Sequence, residues 1–240
     1  MLAVSRDVCY TLDAILPRGA EEMDTIKAAI FDMDGTLIDS LMLWDVLHDA
    51  YERHYPEKAG TIISEEDNRL IRVLPLPEAM GLLHDHYGLG ASGEELTALT
   101  ASVFLDFYSH RVKLKDGVRK FLDELKSRGV RMCIASATPM PLVEAALDHC
   151  GIRDYFDNVF SCGEIGKGKD TPDIYFLAKE SMGNLSETWV FEDAYVAVRT
   201  AVNAGFPTVA IYDTYNPHQD KIKALAQHYV APGETLLKLL

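Results

Sequence analysis

The chain has 240 residues, with 23 basic against 37 acidic side chains and a formal charge of −14. Hydrophobic residues make up 48% and charged residues 25%, which excludes a disordered chain and allows one domain or one with a sizeable insertion. The acidity excludes a nucleic-acid scaffold and a polybasic membrane binder, and no apolar run approaches the roughly 20 residues that span a bilayer.

Residues 1–22 carry acids and a Pro-Arg-Gly break rather than the basic start and apolar core of a signal peptide. They read either as an appended segment or as a surface helix, and Met23 opens MDTIKAAIFDMDGT as a lead into a first strand. Lys27–Phe31 (KAAIF) is a short apolar run that ends in acids, the pattern of a buried strand. In Leu41–Tyr55 the apolar residues Leu43, Val46, Leu47, Ala50 and Tyr51 recur at helical spacing. Further helices are predicted over Ser64–Arg72, Pro77–Tyr87 and Gly93–Ser109, with no convincing strand in residues 41–110.

The rhythm then changes. Asp116–Arg128 is an amphipathic helix stopped by Gly129, and Arg131–Ala135 is a strand. Pro139–Asp148 is a helix with Thr138 as its N-cap, Asn158–Ser161 a strand, and Pro172–Ser181 a helix with the same Thr-Pro entry. Thr188–Phe191 is a strand, Ala194–Ala204 a helix and Thr208–Ile211 a strand. This alternation predicts an α/β fold, a parallel sheet covered on both faces, with an all-helical insert directly after the first strand.

Ligands of open parallel sheets bind beyond the carboxyl ends of the strands. Those ends carry Asp32-Met33-Asp34-Gly35-Thr36, Ser136-Ala137-Thr138, Gly166-Lys167-Gly168-Lys169 and Glu192-Asp193. Asp32 and Asp34 are two apart and face one side of an extended chain, and Gly35 permits a sharp bend after them. Carboxylates this dense repel unless a cation neutralises them or one stays protonated, and oxygen-only ligands suit Mg²⁺ shared with a phosphate. A lysine, the Ser136 hydroxyl and the amides opening the Thr138-Pro139 helix supply the local positive potential that an acidic protein needs for an anion. Asp39 and Asp173 read as first-turn or N-cap acids. The cysteines Cys9, Cys133, Cys150 and Cys162 form no C-x-x-C pair, so no zinc site or disulfide framework is expected and a reducing cytoplasm fits.

The string DMDGTLIDS resembles the first motif of the haloacid dehalogenase-like superfamily. Ser136 closing an apolar strand, Lys169 in KDTPD, and Glu192-Asp193 are similar to its second, third and fourth motifs, in order, over about residues 24–240. Lys167 competes with Lys169, and the spacing before Pro172-Asp173 matches the family at Lys169. The resemblance implies a Rossmann-like doubly wound core of residues 23–40 and 112–240, with a helical cap of residues 41–111 as in the subgroup of β-phosphoglucomutase and phosphoglycolate-type phosphatases.

It also implies roles. Asp32 would be the nucleophile and form an aspartyl-phosphate, and Asp34 the general acid and base. Asp32, the Asp34 carbonyl and Asp193 would hold Mg²⁺ with help from Glu192, while Ser136, Ala137 and Lys169 would bind the phosphoryl group. The cap would close over the core about hinges near Asp39–Leu41 and Arg111–Lys115. It offers Trp44, Arg53, His54, Arg69, Arg72, His84 and His86, and an apolar loop, Leu74-Pro75-Leu76-Pro77, where relatives often present substrate-reading polar groups.

Subtype follows from absences. Asp34 argues against a dehalogenase, and Lys58, the only lysine in residues 41–110, sits in a polar stretch that argues against a Schiff-base cap. Trp44 stands where a β-phosphoglucomutase-like enzyme has histidine. Ala194 and Asp170 replace a common Ser and Pro of relatives. The expectation is a cytoplasmic Mg²⁺-dependent phosphatase of small phosphorylated metabolites such as sugar phosphates, a monomer or weak dimer with no nucleic-acid or membrane partner. A phosphomutase and a non-catalytic phosphate-binding protein are the alternatives.

Overall fold

In the computed structural model of the chain, which describes residues 25–71 and 74–240, Ala28–Phe31 form strand β1 inside a six-stranded sheet. The segment 1–22, Arg72 and the side chain of Arg69 lie outside the described residues. The other strands are β2 (Arg131–Ser136), β3 (Asn158–Ser161), β4 (Thr188–Glu192), β5 (Thr208–Ile211) and β6 (His228–Val230). Their order is β3-β2-β1-β4-β5-β6 and every pairing is parallel. The order reverses at β1, so the crevice for a ligand opens beside its carboxyl end.

All four β1 residues are fully buried because each face of the strand meets a different helical layer. Ala29 and Phe31 pack with Ile134, Phe191 and the helices α5 (Val118–Ser127) and α6 (Met140–His149). Ala28 and Ile30 pack with Cys133, Val190, α8 (Asp173–Ser181) and α9 (Tyr195–Asn203). A short helix, α7 (Cys162–Ile165), follows β3, and α10 (Gln219–Leu225) packs Ile222 against Val198 and Ala210. The Phe31 ring stacks on Phe191 at 4.4 Å between centroids and meets Phe121 and Phe156 edge-on. Full burial of such a ring contributes about 1.5–3 kcal/mol, so the strand that ends in the candidate site is among the best-anchored in the sheet.

Residues 41–110 contain no strand among those described. They form α1 (Leu43–His54), α2 (Glu65–Leu70), α3 (Leu76–Tyr87) and α4 (Gly93–His110) around a cluster that includes Leu47, Tyr51, Met80, Leu83 and Leu96. Ser64 and Ser92 cap α2 and α4 by accepting from Asp67 N and Glu95 N, each at 3.1 Å. A Cβ on Gly93 would lie 2.9 Å from Gly81 Cα, so the start of α4 approaches the α3 backbone closely only because position 93 is glycine. The segments entering and leaving the insert pair with each other. Asp39 N donates to Lys113 O at 2.8 Å, Lys115 N to Leu37 O at 2.9 Å, and Ile38 and Leu114 form an antiparallel bridge.

Several local expectations change. Helix α6 begins at Met140 with Pro139 at its N-cap, and the Thr138 hydroxyl turns to Asp34 instead of capping. Helix α8 starts at Asp173, one residue later than expected, and the Thr171 hydroxyl donates to Gly168 O. Leu76 and Pro77 belong to the first turn of α3, where proline is tolerated because its missing N–H has no helical partner there, so the apolar loop is shorter than expected. Asp39 is neither a cap nor a first-turn acid, since its backbone is committed to the pairing with Lys113 and Met42 caps α1. The elements α7, α10 and β6 were not predicted. Strand β6 has three residues, two of them only half-buried, too short to show a period. No helix among the described residues is long and apolar enough to cross a membrane.

Candidate active site

The backbone stops being a strand at Phe31. Asp32 N still donates to Phe191 O at 2.9 Å, which keeps Asp32 level with the end of β4, and Met33 O then accepts from Leu37 N and Ile38 N as the chain turns. Gly35 makes this turn at φ +78°, and a Cβ there would lie 2.9 Å from Asp193 Cγ. Only glycine lets the turn lean onto the Asp193 carboxylate.

Parallel register brings the acids together. Asp32, Glu192 and Asp193 are all buried, and each offers an oxygen within 4.8 Å of the others. Lys169 Nζ donates to Asp32 Oδ1 at 2.5 Å and to Glu192 Oε1 at 2.6 Å. Tyr175 in α8 also donates to Glu192 Oε1, at 2.8 Å. Asp193 accepts from Thr36 Oγ1 and from Asn216 Nδ2 in the loop after β5. Lys167 is exposed and pairs with Asp173 in the first turn of α8, so of the two competing lysines it is Lys169 that reaches the acids.

The electrostatics are those of a site short of positive charge. With all three carboxylates ionised, one ammonium would leave two negative charges in a buried volume. Burial pushes Asp32 up to about 7; the Lys169 cation opposes the shift, and the Glu192 and Asp34 carboxylates add to it. Burial, reinforced by Asp32 and Glu192, pushes Asp193 well above the usual carboxylate range. Desolvation works against the Lys169 charge, but Asp32 and Glu192 together outweigh it and hold the ammonium above its ordinary value. Asp32 Oδ2 is buried with no hydrogen-bond partner. An orphaned carboxylate oxygen in an all-oxygen group that would carry two surplus negative charges once ionised fits a divalent cation such as Mg²⁺.

Asp34 does not join this group through its carboxylate. The strand has already ended and the chain is turning, so the extended-chain geometry that would align it with Asp32 does not persist. Instead Asp34 Oδ1 accepts from Ser40 Oγ at 2.6 Å and Tyr108 OH at 2.8 Å, and Oδ2 accepts from Thr138 Oγ1 at 2.8 Å. Burial raises the Tyr108 phenol far above its ordinary pKa, and the Asp34 charge adds to the effect.

The loop after β2 is held from within. Ser136 Oγ accepts from Thr138 N at 3.0 Å and Ser161 Oγ donates to Thr138 O at 2.7 Å, which leaves Ala137 exposed beyond the buried Ser136. Sequence reasoning missed Ser40, Tyr108, Tyr175 and Asn216. Tyr108 falls in the apolar stripe of α4 and looks like core, and Ser40 lies inside DMDGTLIDS beside stronger signals. Among the candidates of the insert, Trp44 packs edge-on against Phe104, His84 Nδ1 is bonded to Leu89 O, and His86 pairs with Asp67. These three are therefore engaged within the insert.

The family model of haloacid dehalogenase-like hydrolases matches residues 26–205. The chain is 29% identical over 213 residues to a phosphorylated carbohydrates phosphatase of Thermotoga maritima, covering 88% of this chain and 97% of that one. It is 30% identical over 167 residues to hexitol phosphatase B of Escherichia coli K12, covering 66% and 70%. A Thermotoga maritima crystal structure, provisionally assigned as a β-phosphoglucomutase, superposes with a TM-score of 0.73 at 27% identity and covers 89% of this chain and 98% of that one.

Proposed function

The chain belongs to the haloacid dehalogenase-like hydrolases, and on that footing we propose that it is a Mg²⁺-dependent phosphatase of small phosphorylated metabolites, sugar phosphates above all, working through an aspartyl-phosphate. The observation that carries the reading is the buried Asp32 carboxylate, with one oxygen clamped by Lys169 and the other unpartnered. The relatives named phosphorylated carbohydrates phosphatase and hexitol phosphatase B support the substrate class.

Asp32, Glu192 and Asp193 would hold Mg²⁺, with the Asp34 carbonyl as the family resemblance implies. When bound, the ion neutralises carboxylate and phosphate charge and so lets the two anions approach. Asp32 attacks phosphorus while the leaving oxygen takes a proton from Asp34, giving free alcohol and an aspartyl-phosphate. Asp34 then draws a proton from water, whose oxygen attacks phosphorus and releases inorganic phosphate with Asp32 restored. Lys169, Ser136 and Ala137 bind phosphoryl oxygens, and the Lys169 ammonium stays charged because two carboxylates hold it so. Pre-placed charge of this kind does most of the work in phosphoryl transfer.

In the same reading, residues 41–111 are a cap on a core of residues 23–40 and 112–240. Support comes from the insert's own apolar cluster and from its paired connectors. A mutase would need a second sugar phosphate as acceptor, and Trp44 in place of histidine argues against it. The test is phosphate release from a panel of sugar and polyol phosphates, with EDTA and with added Mg²⁺. Release that stops with chelator and returns with Mg²⁺ is expected. Interconversion of hexose phosphates without release, or indifference to EDTA, overturns the reading.

A further inference from the structure

The helical insert places one of its own side chains on the catalytic acid. Tyr108 lies in the last turn of α4, is almost fully buried, and donates to Asp34 Oδ1 at 2.8 Å. Ser40, on the segment that leads into the insert, donates to the same oxygen, and Thr138 from the loop after β2 donates to Oδ2. Three hydroxyls from three separate segments thus fix the plane of one carboxylate. Asp34 itself lies beyond the end of β1, beside Gly35, where a single isolated bridge to Ile38 replaces the strand ladder. Phe107 and Tyr108 also pack into the core cluster with Phe31 and Val112, so the phenol is delivered by a rigid helix end.

We propose that Tyr108 is a positioning residue that orients Asp34 for proton transfer to the leaving oxygen. The proposal rests on the phosphatase reading above and deepens it. In the first step a bond forms between an Asp32 oxygen and phosphorus as the bond from phosphorus to the ester oxygen breaks. The electron pair of that bond stays on the leaving oxygen, which takes the carboxyl proton of Asp34 and departs as an alcohol. A carboxyl group free to rotate delivers that proton poorly, whereas one held through both oxygens delivers it along a fixed line. An ester with an acidic leaving group scarcely needs the proton and scarcely feels the loss of aim.

The test compares Tyr108→Phe with wild type on a sugar phosphate and on p-nitrophenyl phosphate, reading kcat/KM, which reports steps through loss of the leaving group. A fall of about 10-fold or more on the sugar phosphate, with less than about 3-fold on p-nitrophenyl phosphate, is expected. Retained turnover of the nitrophenyl ester also shows that the variant folds and forms its site. Thr138→Val, which removes the donor to the other oxygen, is expected to give the same selective pattern. Equal losses on both esters, or none on either, overturn the role of Tyr108 while the phosphatase reading stands. Wild-type protein that releases phosphate from neither ester overturns both.

Discussion

Replacing Asp32 by asparagine separates what the site costs from what it does. The Asp32 carboxyl titrates near 3.8 when unperturbed and at about 7 in the folded, metal-free chain. Because the folded value is raised, the stability held below pH 3.8 is lost progressively as pH rises toward 7, and it stays lost above that. Each pH unit is about 1.4 kcal/mol, so ionised Asp32 costs the metal-free fold about 4 kcal/mol, a large share of the 5–15 kcal/mol typical of a domain. Asparagine keeps the shape and an acceptor for Lys169 but carries no charge. In EDTA at pH 8, Asp32→Asn is therefore expected to be the more stable protein by up to about 4 kcal/mol, and near pH 4 the gap should close. Turnover should be abolished at both. Urea unfolding at the two pH values, repeated with saturating Mg²⁺, measures this, and the cation should narrow the gap by stabilising the wild type more than the variant. A variant no more stable than wild type in EDTA at pH 8 would refute the electrostatic reasoning, and retained turnover would refute the nucleophile.

Two further outcomes follow from the same cluster. Gly35→Ala places a Cβ against the Asp193 carboxylate at a backbone angle that side chains rarely adopt, so Mg²⁺ activation should weaken by about 10-fold or more, while a merely tolerant loop would leave the activation curve unmoved. Because Asp32 and Asp193 are both raised, Mg²⁺ must displace protons to bind. Its affinity should therefore climb as pH rises from about 6 to 8, with protons released to buffer in calorimetry, and a flat or falling affinity would contradict those shifts.

The residues that were easy to read are those whose chemistry is also their pattern. KAAIF ends in acids because β1 is buried on both faces and stops at the sheet rim, so Asp32 announces itself, as do Glu192 and Asp193 at the end of β4. Lys169 stands out over Lys167 only through the family resemblance, and the structure supplies the physical reason: it is the lysine desolvated between two carboxylates. The hydroxyls were hidden because each has a more ordinary reading. Thr138 before a proline looks like a helix cap, and Tyr108 looks like packing. Their function depends on a contact 74 residues away for Tyr108 and 104 for Thr138, and neither hydropathy nor propensity reports such distances. Strand β6 stayed invisible because pairing with β5, not its own composition, makes it a strand.

The ladder between Leu37–Asp39 and Lys113–Lys115 has a consequence for how such chains diversify. Seen from the sheet, everything between these two short stretches is the tip of a hairpin, whatever its length. Closing a longer tip costs little extra, because the entropy grows only logarithmically with chain length. A segment of another size and shape, with its two ends brought equally near, can be spliced at this doorway while Asp32, Lys169 and Glu192 beneath keep their alignment, provided that it brings its own donor to Asp34 in place of Tyr108.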